Sequence, residues 1–263
     1  MNTRIVLANR PAEGPIPANT FKQEQQPIPR KEELKDGEVI VRVMWLSLDP
    51  AMRGWLRDAR SYIPPVKINE VMRAAGVGKV VASKCPKRQV GDEVEGTFGW
   101  QDKCKTLKEL GCHAVINYKD QDWRKQFKDN VGFFDIYFDN VGGEMLDFAL
   151  TRMNPHAKIV MCGAISDYNS GKPYRLANYQ ALIAQKGTLQ GFIVMDYTKR
   201  YHEGRAYLGK MLNEGKLKYK YHVVDDNGVK GCEEGLRGLF QGVNEGKMVV
   251  KVWDGNMERE SKL

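Results

Sequence analysis

Residues 102–213 alternate helical patterns with short apolar runs, and this alternation constrains the fold more than any other feature. The apolar runs are nearly continuous and lie at residues 114–118, 133–139, 157–162 and 189–195. Such runs are typical of strands buried on both faces of a sheet. Helical patterns at residues 104–110, 122–128 and 144–153 each precede one of the first three runs, and another follows the last run and extends to residue 211. The sequence therefore predicts an α/β fold with a parallel sheet.

The two terminal regions have β character instead. Runs bounded by turn residues predict strands at 38–46, 76–83, 89–94, 221–224 and 248–253. The turn followed by a short strand at residues 89–94 is typical of a small barrel. Prolines interrupt the loops between these runs.

Charge disfavours a nucleic-acid-binding protein. Lys and Arg number 41 against 33 Asp and Glu, for a net charge of +8. The basic residues are spread along the chain without a block of like charge, as a nucleic-acid contact would require. A scattered positive surface instead suits an anionic cofactor.

Five cysteines occur without any Cys-x-x-Cys pair, which disfavours a disulfide framework or a structural zinc site. Reduced cysteines predict a cytoplasmic protein. No run reaches transmembrane length, so we expect no membrane association. The residues Ser261-Lys262-Leu263 match a peroxisomal address, which leaves that location open.

Three predicted strand ends carry residues suited to binding a ligand. Ligands of open parallel sheets bind at the carboxyl ends of the strands. Residues 140–143 contain Gly142 and Gly143, which allow close backbone approach just before a helix. Residues 162–168 combine small residues with hydroxyl and phenol donors, and residues 191–194 end the last strand. Together they predict a binding crevice.

A glycine-rich phosphate turn does not accompany this crevice. The only Gly-x-Gly is Gly76-Val77-Gly78, inside the N-terminal β region and without a following helix. We therefore do not expect it to bind phosphate. Gly142-Gly143 lies between a strand and a helix but lacks the third glycine.

Several segments in order along the chain carry a family resemblance. They are Asn9-Arg10-Pro11, residues 46–54, Gly76-Val77-Gly78, residues 137–143, residues 162–169 and Asn244-Glu245-Gly246-Lys247. The chain resembles the zinc-free medium-chain dehydrogenase/reductases of the leukotriene B4 dehydrogenase, prostaglandin reductase and curcumin or alkenal double-bond reductase type. The resemblance implies a GroES-like β-barrel domain at 1–101, a truncated Rossmann parallel sheet at 102–220 and a return to the first domain at 221–263.

The same resemblance implies an internal gap at Gln101–Asp102. On the order of 80 residues would be absent there, enough for the barrel end and the first βαβ unit with its glycine-rich turn. The strand at 114–118 would then have no neighbour, or it would pair with the strand at 133–139. Without that pairing, the strand at 133–139 would expose an apolar edge. We expect weakened NADPH binding, because the lost turn supplies the N–H groups that hold pyrophosphate.

Residue roles also follow from the resemblance. Lys103 and Tyr118 would contact the adenosine ribose and its 2′-phosphate. Tyr168 and Tyr62 are the candidate catalytic phenols. The nicotinamide half would be held by Asn140, Cys162, Gly163, Ala164, Ile165, Ser166, Asp167, Tyr168, Phe192, Ile193, Val194 and Asn244. No metal is implied.

The implied reaction is NADPH-dependent reduction of the C=C bond of a small-molecule α,β-unsaturated ketone or aldehyde. Two alternatives stay open. One is a non-catalytic product, such as a splice form or a mispredicted gene product. The other is a regulatory partner of a full-length homologue, or a homodimer, joined through the strand at 189–194.

Overall fold

The computed structural model describes residues 1–95, 112–225 and 228–253. The chain divides into two compact units. The first comprises Met1–Asp102 with Lys220–Leu263, and the second comprises Lys103–Tyr219.

The elements of the described residues follow the predicted division into β-rich ends and an alternating middle. The strands are β1 (Asn2–Leu7), β2 (Phe21–Gln26), β3 (Val39–Ser47), β4 (Ala75–Ser83), β5 (Glu93–Glu95), β6 (Phe134–Asp139), β7 (Met153–Met161), β8 (Thr188–Gly191), β9 (Tyr221–Val224) and β10 (Lys247–Lys251). The α-helices are α1 (Met52–Trp55), α2 (Trp123–Asn130), α3 (Gly143–Leu150), α4 (Ile165–Tyr168), α5 (Ala181–Ala184), α6 (Tyr201–Asn213) and α7 (Gly231–Gln241).

The first unit contains an antiparallel hairpin, β1–β2, and a five-stranded sheet in the order β5-β4-β3-β10-β9. Neighbours in that sheet are antiparallel except β9 and β10, which are parallel. Over the described residues the sheet is open at β5 and β9, and these residues do not close into a barrel. Its core includes four fully buried side chains: Leu7 of β1, Leu56 just after α1, Val66 in the loop after α1 and Val250 of β10. They belong to one cluster with side chains of α7.

The second unit contains a sheet of three parallel strands in the order β6-β7-β8. This arrangement confirms the predicted α/β class, and the parallel order explains why the strand sequences lack a regular polar alternation. Helix α3 packs against the sheet, and α2 packs on α3 through an edge-on aromatic contact, with the Trp123 and Phe148 ring centroids 5.0 Å apart. Leu150 and Ile159 are fully buried beneath them.

The predicted strand at 114–118 is wrong. Residues 114–117 are irregular, Ala114 and Tyr118 are exposed, and only Val115 and Ile116 are half-buried. A strand requires a hydrogen-bonding neighbour, and among the described residues β6 pairs with β7 alone. The apolar edge anticipated for this arrangement is present on β6, where Ile136 is 71% exposed and Phe138 55%. The predicted helix at 104–110 lies outside the described residues.

The last predicted strand of the middle region is shorter than expected. β8 ends at Gly191, and Val194–Arg200 form a 3₁₀-helix that leads into α6. Phe192 and Ile193 therefore lie between the strand and the 3₁₀-helix, at the carboxyl edge of the sheet.

Gly76 and Gly78 have a packing role in β4. A Cβ on Gly76 would lie 2.5 Å from the Trp45 carbonyl oxygen, and one on Gly78 would lie 2.5 Å from Val41 Cγ1. The register between β3 and β4 shifts at Ile40/Val41 and again at Val43/Trp45, close to both glycines. The Gly-x-Gly motif thus allows two strands to approach closely, in an antiparallel sheet with no helix after it.

We expect Gly78→Ala to lower the free energy of unfolding by about 1–3 kcal/mol, because the added methyl overlaps β3. Gly54→Ala is the matched control, since Gly54 lies in α1 of the same unit with no atom within 4 Å of an added Cβ. That control should change stability by less than about 1 kcal/mol, in the stabilising direction. Urea unfolding measures both, and equal midpoints for the two variants would contradict the packing role.

Candidate functional site

The carboxyl ends of β6, β7 and β8 lie at the same edge of the parallel sheet of the second unit. Each is followed by a loop that leads into a helix: residues 140–142 before α3, residues 162–164 before α4, and Phe192-Ile193 before the 3₁₀-helix. This edge is the position where open parallel sheets bind ligands. The structure therefore brings together the three strand ends singled out in the sequence.

Asp139 organises the first of these loops. Its carboxylate is fully buried and accepts hydrogen bonds from the Val141 N–H (3.0 Å) and the Gly142 N–H (3.1 Å to each oxygen). An aspartate at a strand end that binds N–H groups two and three residues later holds the backbone in a turn. Asp139 thus shapes the loop rather than facing a ligand.

The loops after β6 and β7 form one hydrogen-bonded unit. The Cys162 N–H donates to the Asp139 carbonyl at 2.7 Å, and the Ile165 N–H donates to the Asn140 carbonyl at 3.2 Å. Ser166 donates twice to the Val141 carbonyl, from its N–H at 3.1 Å and from its hydroxyl at 2.7 Å. These bonds fix the positions of the two loops relative to each other.

The glycines of this edge allow that close approach. Gly142 and Gly143 have φ of 68° and 57°, in the region that favours glycine. A Cβ on Gly142 would lie 3.1 Å from Ala164 Cβ, and one on Gly143 would lie 2.7 Å from Ser166 Oγ. The space beside both glycines is thus occupied by the neighbouring loop, which the sequence could not distinguish from a ligand.

Tyr168 closes the second loop. Its hydroxyl oxygen accepts a hydrogen bond from the Ala164 N–H at 3.2 Å. The same hydroxyl would lie 3.2 Å from a Cβ on Gly163, so a glycine is needed beneath the phenol. Asp167, the preceding residue, accepts a long hydrogen bond from the Tyr174 N–H at 3.4 Å. The Ala164 bond holds the Tyr168 phenol, which is half-buried, at the carboxyl edge.

Cys162 is the first residue of this loop and is largely exposed. The part of the thiol that is buried and, secondarily, the Asp139 carboxylate raise the pKa of the Cys162 thiol. The thiol is therefore protonated near neutral pH, which does not suit a nucleophile.

Phe192 lies between two aromatic rings. Its centroid is 6.0 Å from that of Phe138 and 6.1 Å from that of Tyr197. Its N–H donates to the Met161 carbonyl at 3.4 Å, which continues the β7–β8 ladder by one residue. Val194 is 56% exposed at the start of the 3₁₀-helix. This third loop adds an apolar wall to the edge.

The remaining predicted site residues are placed separately. Tyr62 and Asn244 belong to the first unit, where the Tyr62 hydroxyl accepts from the Trp55 indole N–H at 3.1 Å and the Asn244 amide donates to the Gly246 carbonyl at 2.7 Å. Tyr118 is 59% exposed in a turn. Lys103 lies outside the described residues.

Lys247 is a charged residue whose side chain is only 11% exposed, and in the sequence it stands out only as the last residue of the Asn244-Glu245-Gly246-Lys247 motif. Its ammonium donates to the Leu48 carbonyl at 2.8 Å and pairs with Asp49 at 2.5 Å, and Asp49 also accepts from the Ser47 hydroxyl at 2.8 Å. Burial lowers the pKa of Lys247, and the Asp49 carboxylate opposes that shift. Asp49 and Lys247 lie in two of the segments that carry the family resemblance, residues 46–54 and 244–247. Their presence in those segments is the sequence signal that could have pointed to the pair.

Within residues 1–95, 112–225 and 228–253, no three His, Cys, Asp or Glu side chains are grouped as metal ligands. None of the helices in these ranges has the length and hydropathy to cross a membrane.

Family models match most of the chain. A model described as the N-terminal domain of oxidoreductase matches residues 3–115, and one described as zinc-binding dehydrogenase matches residues 76–209, about half of the chain.

Curated relatives and solved structures agree with these matches. The chain is 30% identical to the NADPH-dependent curcumin reductase of Escherichia coli, covering 95% of this chain and 97% of the relative. It is 27% identical to the NADP⁺-dependent 2-alkenal reductase of Nicotiana tabacum, covering 82% and 87%. The crystal structure of CurA from Vibrio vulnificus is similar with a TM-score of 0.85 and 28% identity, over 97% of this chain and 100% of CurA. CurA in complex with NADPH gives 0.83, also at 28% identity, over 95% and 99%.

These matches define an oxidoreductase fold of the medium-chain type. The chain belongs to the zinc-free medium-chain dehydrogenase/reductases of the alkenal reductase type.

We expect Asp139→Asn to increase the rate at which iodoacetamide alkylates Cys162, by about two- to fivefold at pH 8. Loss of the carboxylate charge lowers the raised pKa of the thiol and so increases the thiolate fraction, while burial still holds the pKa above its ordinary value.

Site-resolved mass spectrometry of the alkylated chain measures this rate. Asp147→Asn is the control, because Asp147 is also a buried carboxylate of the second unit but accepts its bonds from Asn178. An unchanged rate in Asp139→Asn, or an equal rise in both variants, would contradict the assigned contact.

Proposed function

We propose that this chain is an NADPH-linked reductase of the C=C bond of α,β-unsaturated ketones and aldehydes by lineage, with cofactor binding weakened by an internal gap. The edge formed by the loops after β6, β7 and β8 is the observation that carries the assignment. The relatives support it, since their names specify NADPH-dependent curcumin reductase and NADP⁺-dependent 2-alkenal reductase, and CurA was crystallised with NADPH.

The described residues fit the nicotinamide half of the cofactor. Asn140 and the loop at 162–168 present exposed polar groups and small residues at the carboxyl edge, and Phe192, Ile193 and Val194 present an apolar wall. An apolar wall with a few polar groups is the composition expected of a small-molecule site. Asn244 of the first unit is proposed as a further contact.

When bound, NADPH supplies the hydride that is transferred to the β-carbon of the enone. The chain's own contribution is to stabilise the negative charge that develops on the substrate oxygen. Tyr168 is the proposed donor, because its phenol is positioned at the carboxyl edge by the Ala164 N–H. Tyr62 is the second candidate. Solvent then protonates the enolate carbon.

The described residues do not provide the pyrophosphate half of the site. Gly76 and Gly78 pack against β3, and Gly142 and Gly143 pack against the loop after β7. Lys103 and Tyr118 are proposed to contact the adenosine ribose and its 2′-phosphate, but Tyr118 is in an exposed turn. Pyrophosphate binding depends on N–H groups at a helix start, and the sequence contains no glycine-rich turn that would present them.

Two observations support an internal gap. The alignment with the E. coli curcumin reductase extends over 340 positions and includes 95% of this chain, about 250 of its 263 residues, so about 90 positions have no residue of this chain opposite them. In addition, β6 has an exposed apolar edge, and residues 114–117 do not form a strand. Both are expected if the strands that lie beside β6 in such a sheet are absent.

We expect the purified chain to bind NADPH with a Kd above about 100 µM. The loss of two hydrogen bonds to a charged pyrophosphate, each contributing about 1.5–3 kcal/mol, weakens affinity by roughly a hundredfold or more. A fluorescence titration measures the affinity, and NADPH oxidation with an enone such as 3-buten-2-one measures turnover.

CurA from Vibrio vulnificus, assayed in parallel, is the positive control for cofactor binding. Low-micromolar NADPH affinity in this chain would contradict the proposed weakening. Saturating NADPH without any enone-dependent oxidation would favour the non-catalytic alternative, and co-purification with a full-length homologue would favour the regulatory one.

A further inference from the structure

The first unit contains a partly open cavity of about 280 Å³. It lies between β1, the start of β2, the end of β3, residues 71–74 and one face of α7. The described lining includes none of the residues proposed to contact NADPH or the enone. Protein interiors contain few voids larger than a water molecule, so a space of this size beside a core is unusual.

The floor of the cavity is apolar. The side chains that line it include Ile5, Phe21, Leu48, Met52 and Leu236, all of them buried. These five side chains belong to the hydrophobic core of the first unit. A void beside such side chains leaves them without dispersion contacts on one side, and an apolar molecule in the void would supply those contacts.

Loose packing of the unit does not account for the cavity, because a neighbouring face of α7 is tightly packed. A Cβ on Gly231 would lie 2.8 Å from Val224 Cγ1, and one on Gly235 would lie 2.6 Å from Leu48 Cδ1. The cavity lies on the face of α7 that carries Cys232. The helix therefore approaches its neighbours as closely as glycine allows on one face and leaves a space on another.

The charged side chains among the described lining residues are Arg4, Arg73 and Glu233, and each already has a partner. Arg4 donates two hydrogen bonds to the Glu24 carboxylate, at 2.7 and 3.1 Å. Arg73 donates to two backbone carbonyls, at 2.8 and 3.2 Å, and Glu233 lies 3.7 Å from Arg237. A charged ligand would lose its hydration on entry and would have to displace one of these partners.

The Cys232 thiol adds no charge to the lining. Burial and, secondarily, the Glu233 carboxylate raise the pKa of this thiol to about 12. The thiol is therefore protonated near neutral pH, and a protonated cysteine behaves as a small apolar side chain.

We propose that this cavity binds an uncharged apolar molecule of roughly ten non-hydrogen atoms, such as a bicyclic hydrocarbon. An apolar cavity of about 150 Å³ holds benzene, so about 280 Å³ accommodates two fused rings. Small-molecule sites begin at about 300 Å³ and are lined mostly by apolar side chains. The proposal does not depend on cofactor binding, because its residues are separate from those of the proposed cofactor site.

Equilibrium dialysis of the full chain against naphthalene tests the proposal, and 2-naphthoate, which has the same rings and a carboxylate, is the charged comparison. We expect naphthalene to bind with a Kd on the order of 100 µM and 2-naphthoate to bind at least tenfold more weakly. No detectable binding of naphthalene would overturn the proposal. Equal affinity for the two probes would overturn the preference for an uncharged ligand.

Substitutions at Cys232 assign the binding to this cavity. Cys232→Phe places a ring in the space and should raise the naphthalene Kd at least tenfold. Cys232→Ala is the matched control at the same position, because it leaves the space open, and it should keep the Kd within about twofold. Urea unfolding verifies that both variants are folded. An unchanged Kd in Cys232→Phe, or an equal loss of binding in both variants, would overturn the assignment.

The reactivity of Cys232 gives a second readout in the unsubstituted chain. Naphthalene should slow the modification of Cys232 by methyl methanethiosulfonate about twofold or more, because the ligand and the reagent compete for the same space. Cys85 of the same unit is not among the described lining residues and should react at an unchanged rate. Site-resolved mass spectrometry measures both rates. Equal slowing at the two cysteines, or no slowing at Cys232, would overturn the proposal.

Discussion

A strand inside a parallel sheet needs hydrogen-bonding partners on both sides, and the rest of the second unit depends on how β6 meets this requirement. On one side it pairs with β7 in register from Ile136 to Asp139. On the other side no described residue pairs with it, and Ile136 and Phe138 are exposed. The proposed internal gap accounts both for this one-sided pairing and for the proposed loss of pyrophosphate contacts. The family assignment does not depend on it.

The contacts that support the proposed nicotinamide side of the site are local. The buried Asp139 carboxylate holds the loop after β6, and the carbonyls of Asp139, Asn140 and Val141 accept bonds from the loop after β7. These contacts lie within residues 139–168. The proposed gap at Gln101–Asp102 removes none of these contacts. We therefore propose that the gap affects the pyrophosphate half of the cofactor site and leaves the edge formed by residues 139–168 in place.

Local pattern was sufficient to predict much of this fold. The strands β6 and β7 and the helix α3 were predicted from continuous apolar runs and a following helical pattern. Turn-bounded runs predicted β3, β4, β5, β9 and β10 of the terminal regions, but the hairpin β1–β2 was not predicted. The strand at 114–118 was predicted on the same grounds and is wrong, because pairing is a tertiary property that an apolar run cannot supply. Helix α7 was missed because glycines lower helix propensity. Gly231 and Gly235 are needed there because a Cβ would lie 2.8 Å from Val224 and 2.6 Å from Leu48, respectively.

The candidate site was predictable in position but not in detail. The three strand ends were identified from their order along the chain, and the structure places them at one edge. The role of Gly142 and Gly143 was not predictable, because a glycine that admits a neighbouring loop has the same sequence signature as one that admits a ligand. Lys247 and Asp49 are 198 positions apart along the chain, so a pattern of neighbouring residues cannot predict that they pair.

We propose that one absent segment accounts for both the open β6 edge and the weak cofactor binding. Inserting the corresponding segment of CurA between Gln101 and Asp102 and titrating the chimera with NADPH tests this most directly. We predict that the Kd falls from above about 100 µM to the low micromolar range, and that the β6 amides gain protection from hydrogen exchange. A folded chimera that binds NADPH no better than the original chain would contradict it.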